Sequence, residues 1–243
     1  MTETVEKTAS GAILYDKQVI REISEDRFSP SGWLHAEPVT GSLGSAGRGN
    51  TMFVGNVPQQ FVLRHFNRGG LIGKIVRDSY LFTGADKTRP FAEWRMLAKM
   101  ADSGLRVPRP AAARYRRYGA IYSADIITVR IPNVRPLSQH IADNPLPAEF
   151  WQSLGAAVHG FHAAGVCHAD MNAYNLQIDD QGDLWMLDFD RGRLLAPGLW
   201  QQKTLSRLHR SLLKIVSLNA QLHFRQANWE QFLEGYFEAS NSA

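Results

Sequence analysis

The spacing of hydrophobic positions divides the chain into a β-prone first half and a helical second half. Short apolar runs that end at glycine, proline or polar residues predict strands at 61–66, 115–118 and 120–129. Apolar residues at helical spacing predict one helix, at 91–101, between these strands. The glycine-rich residues 41–54 predict a flexible turn between two further strands.

Helical spacing dominates the second half of the chain. Four large apolar residues share one face of a predicted helix at 148–164. Gly165 suits the C-terminal end of this helix, because glycine readily adopts a left-handed backbone. Residues 176–178 and 184–187 then predict a short hairpin. The remainder, from Leu199 onwards, is predicted to be helical.

These elements predict an α+β fold with two lobes. Residues 1–30 read as a polar N-terminal lead-in, residues 31–130 as a small β-rich N-lobe, and residues 131–243 as a helical C-lobe. The boundary falls near residue 130, because Pro132 and Pro136 interrupt the pattern of strands there.

Three polar residues of the second lobe have the types and spacing of a phosphoryl-transfer site. Asp170 lies in a loop five residues before Asn175, and the apolar run at 184–187 leads directly into Asp188. In phosphoryl transfer a carboxylate accepts or orients the proton of the attacking hydroxyl, and hard oxygen ligands hold Mg²⁺ against the ATP phosphates. We therefore predict Asp170 as the catalytic group, and Asn175 and Asp188 as the Mg²⁺ ligands.

The composition of the chain limits the cellular compartments in which we expect the protein. The chain is 44% hydrophobic, which suffices for a packed core, and its single cysteine, Cys167, cannot form an intramolecular disulfide. The N-terminal segment lacks the basic and apolar regions of a secretory signal, and no apolar run approaches the roughly 20 residues of a membrane span. We expect a cytoplasmic protein whose membrane contact is peripheral.

Two groups of basic residues indicate anionic partners, although the net charge is only +4. One group lies at 106–117. The other group lies at 203–214, where the basic residues fall on the helical face opposite a row of apolar residues. The helix at 203–214 is either an ordinary lobe helix with a solvated face or a surface for anionic lipid head groups. No nucleic-acid recognition motif accompanies these charges, so we expect no nucleic-acid partner, and no obligatory protein partner is evident. The second group comprises Lys203, Arg207, Arg210 and Lys214.

Five segments resemble the 3-deoxy-D-manno-octulosonic acid kinases (Kdo kinases) of Gram-negative bacteria, within the protein-kinase-like superfamily. The resemblance implies a two-lobed protein-kinase-like fold and an alcohol-group phosphotransferase. It implies that ATP phosphorylates the 4-hydroxyl of a Kdo residue on lipid A precursor, in lipopolysaccharide core synthesis. It also implies a peripheral location on the cytoplasmic face of the inner membrane. The segments are 62–70, 91–95, 107–110, 168–175 and 187–192.

The resemblance also implies a nucleotide site in the first lobe. Backbone N–H groups of a glycine loop would approach the ATP phosphates. Arg64 stands on the strand where a kinase supplies a lysine to these phosphates, and Lys74 is an alternative cation. Glu93 would orient whichever cation binds. Residues 126–131 would connect the lobes and bind adenine through their backbone. The glycines of the loop are Gly44, Gly47 and Gly49.

In the second lobe, His168 is predicted to support the catalytic loop by hydrogen bonding to backbone near Asp188. The lipopolysaccharide core heptose kinases, a sister group, share much of the same motif set and are the alternative assignment. Arg64 in place of lysine and the irregular glycine spacing suggest a second alternative, a catalytically weak ATP-binding scaffold. Asn172 stands where protein kinases often place a lysine, which argues against a protein kinase.

Overall fold

The computed structural model describes residues 1–39, 51–67 and 79–241. They form two compact units that divide between Ile131 and Pro132, next to the boundary expected near residue 130. The first unit is β-rich and the second is mainly helical, so the α+β class predicted from the sequence is confirmed.

The described residues of the first unit form one antiparallel sheet. In spatial order its strands run β1-β2-β7-β8-β5-β4-β3, and β6 pairs with β8. The register of β5 against β8 sets Arg64 opposite Ile126 and Leu63 opposite Ile127. The strands are β1 (Glu3–Lys7), β2 (Gly11–Asp16), β3 (Ala36–Pro38), β4 (Thr51–Asn56), β5 (Gln59–His65), β6 (Tyr80–Leu81), β7 (Pro110–Tyr118) and β8 (Ile121–Val129).

The two N-terminal strands correct the sequence prediction. Residues 1–30 were expected to be a polar lead-in outside the lobe, but β1 and β2 belong to the sheet, and β2 pairs with β7. The apolar run of β2 buries Ile13, Leu14 and Tyr15 almost completely. This run is only a few residues long and lies between charged segments, so the overall polarity of the N-terminus concealed it.

The alternation of side chains gives the sheet two different faces. The helix α1 (Arg89–Asp102) packs against β7 and β8, and it buries Phe91, Trp94 and Leu97. A separate apolar cluster contains Leu63 and Ile127 together with Val19, Ile23 and Phe28 from the segment after β2. Since neighbouring residues on a strand point to opposite faces, Arg64 lies on the other face from Leu63.

The structure also corrects the position of the segment expected to connect the lobes. Residues 126–129 are the end of β8, and Ile126 and Ile127 are fully buried in the sheet. The connecting residues therefore begin at Arg130, directly after this strand.

The second unit contains four helices and short strands among its described residues. These are β9 (Arg135–Pro136), α2 (Leu137–Asp143), α3 (Ala148–Ala163), β10 (Val166–Cys167), β11 (Leu176–Ile178), β12 (Leu184–Met186), β13 (Arg193–Leu194), α4 (Leu199–Leu218) and α5 (Gln226–Asn241). The strand β11 pairs with β12 and β9, and β10 pairs with β13, all antiparallel. Gly165 ends α3 with a φ of 78°, as the sequence predicted.

Helices α3 and α5 approach each other very closely. A Cβ atom on Gly155 would collide with the backbone carbonyl of Phe232, and one on Gly235 would collide with that of Gln152. The buried His162 of α3 contacts the hydroxyl of Tyr236 on α5 at 2.8 Å and that of Thr204 on α4 at 3.0 Å. Of the helices in the described residues, none is long and apolar enough to cross a membrane.

Candidate active site

The predicted catalytic and metal loops are held together by short strands. The strand β10 delivers the chain to His168, and the loop that follows ends where β11 begins. Pairing of β11 with β12 brings the end of that loop to the residues that follow β12. The backbone N–H of Leu187 donates to the carbonyl of Asn175 at 2.9 Å. Asn175 and Asp188 therefore lie on adjacent segments, although they are 13 positions apart in sequence.

His168 joins the two loops by two hydrogen bonds. The backbone N–H of Asp170 donates to Nδ1 of His168 at 3.0 Å, so Nδ1 carries no proton. Nε2 must then carry the proton, and it donates to the carbonyl of Leu187 at 2.8 Å. Burial lowers the pKa of His168, which agrees with this neutral form. The predicted hydrogen bond from His168 to the backbone beside Asp188 is present.

The carboxylate of Asp170 is open to solvent but is contacted on both oxygens. Its Oδ1 accepts from Nη1 of Arg207 at 3.1 Å, and Asn172 Nδ2 lies 3.3 Å from Oδ2. The Asp170 side chain is nevertheless 64% exposed. An exposed carboxylate in this position can receive a proton from a hydroxyl group that approaches from solvent.

Sequence reasoning did not find the contact between Arg207 and Asp170. It placed Arg207 on the basic face of a helix, which is correct for α4, but it had no means of placing that face beside the predicted catalytic loop. The sequence did carry one signal. Asn172 is neutral at a position where protein kinases often have a lysine, so the loop has no lysine or arginine of its own beside Asp170.

The residues predicted to bind Mg²⁺ offer suitable oxygen atoms. Asn175 Nδ2 donates to the carbonyl of Asp170 at 3.0 Å, so its amide oxygen is the atom left to face a cation. Asp188 is exposed and has a φ of 62°, a left-handed backbone that is unusual for a residue with a side chain. One amide oxygen and one carboxylate fit Mg²⁺, which commonly takes few protein ligands and completes its shell with phosphates and water. Within the described ranges, no group of three or more His, Cys, Asp or Glu side chains could hold a metal ion.

In the first unit, Arg64 and Glu93 form an ion pair. Nη2 of Arg64 lies 2.5 Å from Oε1 and 2.7 Å from Oε2 of Glu93. Glu93 is buried on α1, and the guanidinium of Arg64 also lies over the ring of Phe66 at 4.6 Å. The pair has the arrangement in which a helix carboxylate orients a phosphate-binding cation.

The remaining residues predicted to bind nucleotide cannot be placed. Gly44, Gly47, Gly49 and the alternative cation Lys74 lie outside the described residues. The structure therefore gathers His168, Asp170, Asn175 and Asp188 in one unit, and it pairs Arg64 with Glu93 in the other.

The two basic groups differ in what they can bind. In the group at 106–117, Arg114 is buried and donates to Asp125 at 2.8 and 3.1 Å, and Arg109 pairs with the buried Asp16 at 3.2 Å. Arg114 is therefore committed to the sheet, whereas the side chain of Arg109 is 45% exposed even though it pairs with Asp16. On α4 all four basic residues are exposed, opposite the buried Leu208 and Leu212. We call Lys203, Arg207, Arg210 and Lys214 the basic stripe of α4.

Sequence comparison relates nearly the whole chain to a group of kinases. Residues 35–236 match the family described as the lipopolysaccharide kinase (Kdo/WaaP) family. The 3-deoxy-D-manno-octulosonic acid kinase of Vibrio parahaemolyticus is 38% identical over 228 residues, which are 94% of each chain. The kinase of that name from Photobacterium damsela is 40% identical over 225 residues, 92% of each chain. That of Stenotrophomonas maltophilia is 42% identical over 219 residues, 88% of this chain and 85% of its own.

Comparison with solved structures gives a more distant likeness. The crystal structure of WbdD covers 86% of this chain, with 10% sequence identity and a TM-score of 0.47. The present chain spans 46% of the length of the WbdD chain.

Proposed function

The chain belongs to the lipopolysaccharide kinase (Kdo/WaaP) family, and from this we propose that it uses ATP to phosphorylate the 4-hydroxyl of a Kdo residue on lipid A precursor. The observation that carries the proposal is the pair of hydrogen bonds made by His168. They fix the backbone of Asp170 against the segment that leads into Asp188. The two bonds support the proposal, because the proposed proton acceptor and the proposed metal-binding carboxylate must lie on neighbouring loops for phosphoryl transfer.

Each side chain has a distinct part in the proposed reaction. Asp170 accepts or orients the proton of the sugar hydroxyl, and its exposure leaves room for that hydroxyl to approach. Asn175 and Asp188 would hold Mg²⁺, which would supply positive charge to the phosphates of ATP. Arg64 binds phosphate oxygens of ATP through a guanidinium that Glu93 holds in place.

Transfer to a defined acceptor tests the proposal. Purified protein is incubated with labelled ATP, Mg²⁺ and a lipid A precursor that carries Kdo, and the site of phosphorylation is determined by mass spectrometry and NMR. Phosphate on the 4-hydroxyl of Kdo is expected, and Asp170→Ala should lower the rate by at least about 1,000-fold, since positioning and proton transfer are both lost. An acceptor that carries core heptose is tested in parallel. Transfer to heptose alone would move the protein to the sister activity.

We further propose that the protein meets this acceptor at the cytoplasmic face of the inner membrane. A lipid-linked sugar remains in the bilayer, so the kinase must approach the membrane surface. The basic stripe of α4 supports the proposal, because exposed lysine and arginine near anionic lipid contribute about 1 kcal/mol each to binding. One member of the stripe, Arg207, also contacts Asp170.

Vesicle sedimentation tests the membrane proposal. The protein should sediment with vesicles that contain phosphatidylglycerol, and about 0.5 M salt should release it, because exposed charges are screened. Replacing Lys203, Arg210 and Lys214 by Gln should abolish sedimentation. The matched control replaces the exposed Lys7, Lys17 and Arg21 of the first unit, which removes the same charge elsewhere. Equal losses in both triple variants would contradict a role for the stripe.

A further inference from the structure

Arg207 is the cation in contact with the proposed catalytic carboxylate. Its Nη1 lies 3.1 Å from Oδ1 of Asp170, although the two residues are 37 positions apart and belong to α4 and the catalytic loop. In the described part of the chain, no other cationic side chain forms an ion pair with Asp170. The loop itself supplies the neutral Asn172, whose Nδ2 lies 3.3 Å from the other oxygen of the carboxylate, Oδ2.

The guanidinium of Arg207 has donors to spare. It carries five N–H groups in a planar fork, and its single hydrogen bond to Asp170 uses one of them. The side chain is 49% exposed, so the remaining donors face solvent. Arg207 can therefore keep its bond to Asp170 and at the same time bind a second anion that approaches the same carboxylate.

The proposed acceptor carries such an anion close to its reacting hydroxyl. A 3-deoxy-octulosonic acid has a carboxyl group, which is ionised at neutral pH. In the sugar ring only one carbon separates the carbon that bears this carboxylate from C4. When the 4-hydroxyl lies within hydrogen-bond distance of Asp170, roughly 2.6–3.2 Å, the sugar carboxylate is therefore also near the base and its cationic neighbour.

We propose that Arg207 binds the carboxylate of the acceptor sugar and so selects a sugar acid over a neutral sugar; this inference rests on the proposed function. Arginine suits the task, because its fork donates two parallel N–H bonds to one carboxylate. An acceptor sugar that has no carboxylate would leave the Arg207 guanidinium without its second anionic partner. The bond to Asp170 keeps the guanidinium in place before the acceptor arrives.

Four enzymes and two acceptors test this inference. The acceptors are the Kdo-bearing lipid A precursor and its carboxamide, which has nearly the same shape but no charge. The enzymes are the wild type, Arg207→Gln, Arg207→Lys and Arg210→Gln. Arg210→Gln is the matched control, because it removes the same charge from the same exposed face of α4 without a contact to Asp170.

The wild type should prefer the acid over the carboxamide by roughly 10- to 100-fold in kcat/KM, as expected for hydrogen bonds between charged groups. Arg207→Gln should lose most of this preference, because its activity falls further on the acid than on the carboxamide. Arg207→Lys should keep an intermediate preference, since it retains the charge but not the fork. Arg210→Gln should keep the preference of the wild type, whatever its effect on membrane binding.

Equal loss of activity on both acceptors in Arg207→Gln would overturn the inference, because Arg207 would then act on Asp170 or the phosphoryl group alone. A wild type that phosphorylates both acceptors equally well would overturn it too. Both results leave the proposed function intact. A wild type that transfers phosphate to neither acceptor would instead reject the proposed function, and the inference with it.

Discussion

His168 donates its Nε2 proton to the backbone carbonyl of Leu187 at 2.8 Å. Together with the backbone hydrogen bond from Leu187 to Asn175, this bond joins the predicted catalytic loop to the predicted metal loop. The opposite ring nitrogen accepts the backbone N–H of Asp170 at 3.0 Å. His168 is 1% exposed and its ring lies 4.9 Å from that of Phe189. A rigid, buried imidazole therefore sets the distance between two loops whose side chains are themselves exposed.

Replacing His168 should lower kcat more than it raises the KM for either substrate. His168→Ala leaves a buried N–H and a buried carbonyl without partners, and we expect a roughly 10- to 100-fold loss in kcat and about 2 kcal/mol less stability. Steady-state kinetics and urea unfolding measure the two effects. His168→Asn can keep the acceptor for Asp170, and His168→Gln can keep the donor to Leu187. If the variants lose stability but keep the kcat of the wild type, the two hydrogen bonds of His168 have a purely structural role.

Local sequence separation explains why most of the second-unit site could be predicted. Asp170, Asn175 and Asp188 lie within 18 positions of one another, and the two short strands between them leave few ways to arrange the loops. The hydrogen bond of His168 to the neighbouring backbone follows from the same local geometry. The roles of these side chains in catalysis and metal binding remain predictions.

Contacts that depend on packing between distant elements could not be predicted in the same way. The position of Arg207 beside Asp170 depends on the rotation and tilt of α4, which the helical pattern alone does not determine. The strand β2 was missed because its apolar run is short and its pairing with β1 and β7 depends on distant parts of the chain. For Glu93 the kinase resemblance left two partners open, Arg64 and Lys74, and the structure shows the ion pair with Arg64.

Arg64 should determine the affinity for ATP. We expect Arg64→Gln to raise the KM for ATP by at least about 10-fold, because a charge-assisted phosphate contact is lost, and Arg64→Lys to have a smaller effect. Glu93→Gln should raise this KM as well, since Arg64 loses its orienting carboxylate. The KM for the acceptor should change little in all three variants.

The control for Arg64 is Arg95→Gln on α1. Arg95 also makes acidic contacts, with Glu3 at 2.6 Å and Asp86 at 2.9 Å, but both are partly or fully exposed pairs. Its loss should leave the KM for ATP unchanged and cost at most about 1 kcal/mol of stability. If Arg64→Gln also binds ATP normally, the phosphate-binding cation is another residue, and Lys74 becomes the first candidate.

Asp188 should set the requirement for Mg²⁺. Removing its charge in Asp188→Asn should raise the Mg²⁺ concentration for half-maximal activity by about 10-fold or more, because Mg²⁺ binds carboxylates far better than amides. Activity is measured over a Mg²⁺ titration at fixed ATP. Asp180→Asn is the matched control, since Asp180 is an exposed carboxylate in the hairpin turn that precedes Asp188. Identical titration curves for the wild type and Asp188→Asn would reject Asp188 as a ligand.

The contact between α3 and α5 should be intolerant of any side chain at Gly155. Gly155→Ala and Gly235→Ala each drive a methyl group into a backbone carbonyl of the facing helix, and we expect a loss of at least about 2 kcal/mol. Gly160 lies on the same helix, but a Cβ atom there meets nothing within 4 Å. Gly160→Ala should therefore stabilise the protein by about 0.5–1 kcal/mol through higher helix propensity. Chemical unfolding of the three variants measures the two expected losses of stability and the one expected gain. A similar loss of stability in all three would contradict this account.

His162 should make the protein less stable in mild acid. The Thr204 hydroxyl donates to the carbonyl of Gln201 at 2.8 Å, so its oxygen accepts Nε2–H of His162, and Nδ1 accepts the hydroxyl of Tyr236. Both ring nitrogens are thus satisfied only in the neutral form, and burial lowers the pKa of His162 to about 4.

The direction of the pH effect follows from the two pKa values. The pKa of His162 is about 4 in the folded protein and about 6.5 in the unfolded chain. The unfolded chain therefore binds a proton first as the pH falls. The stabilising contribution is complete above about pH 6.5 and is lost between pH 6.5 and pH 4, by about 3 kcal/mol at most. His168, whose pKa is also lowered by burial, adds a loss of the same sign.

Urea unfolding between pH 7.5 and pH 4 measures this contribution as the difference between the wild type and His162→Gln. The variant should be less stable at pH 7.5, because Gln fits the two hydroxyl contacts less well. Its stability should then fall less steeply below pH 6.5, because glutamine does not titrate. His35→Gln, at an exposed position of the first unit, should fall as steeply as the wild type. A slope in His162→Gln equal to that of the wild type would mean that other groups cause the acid sensitivity.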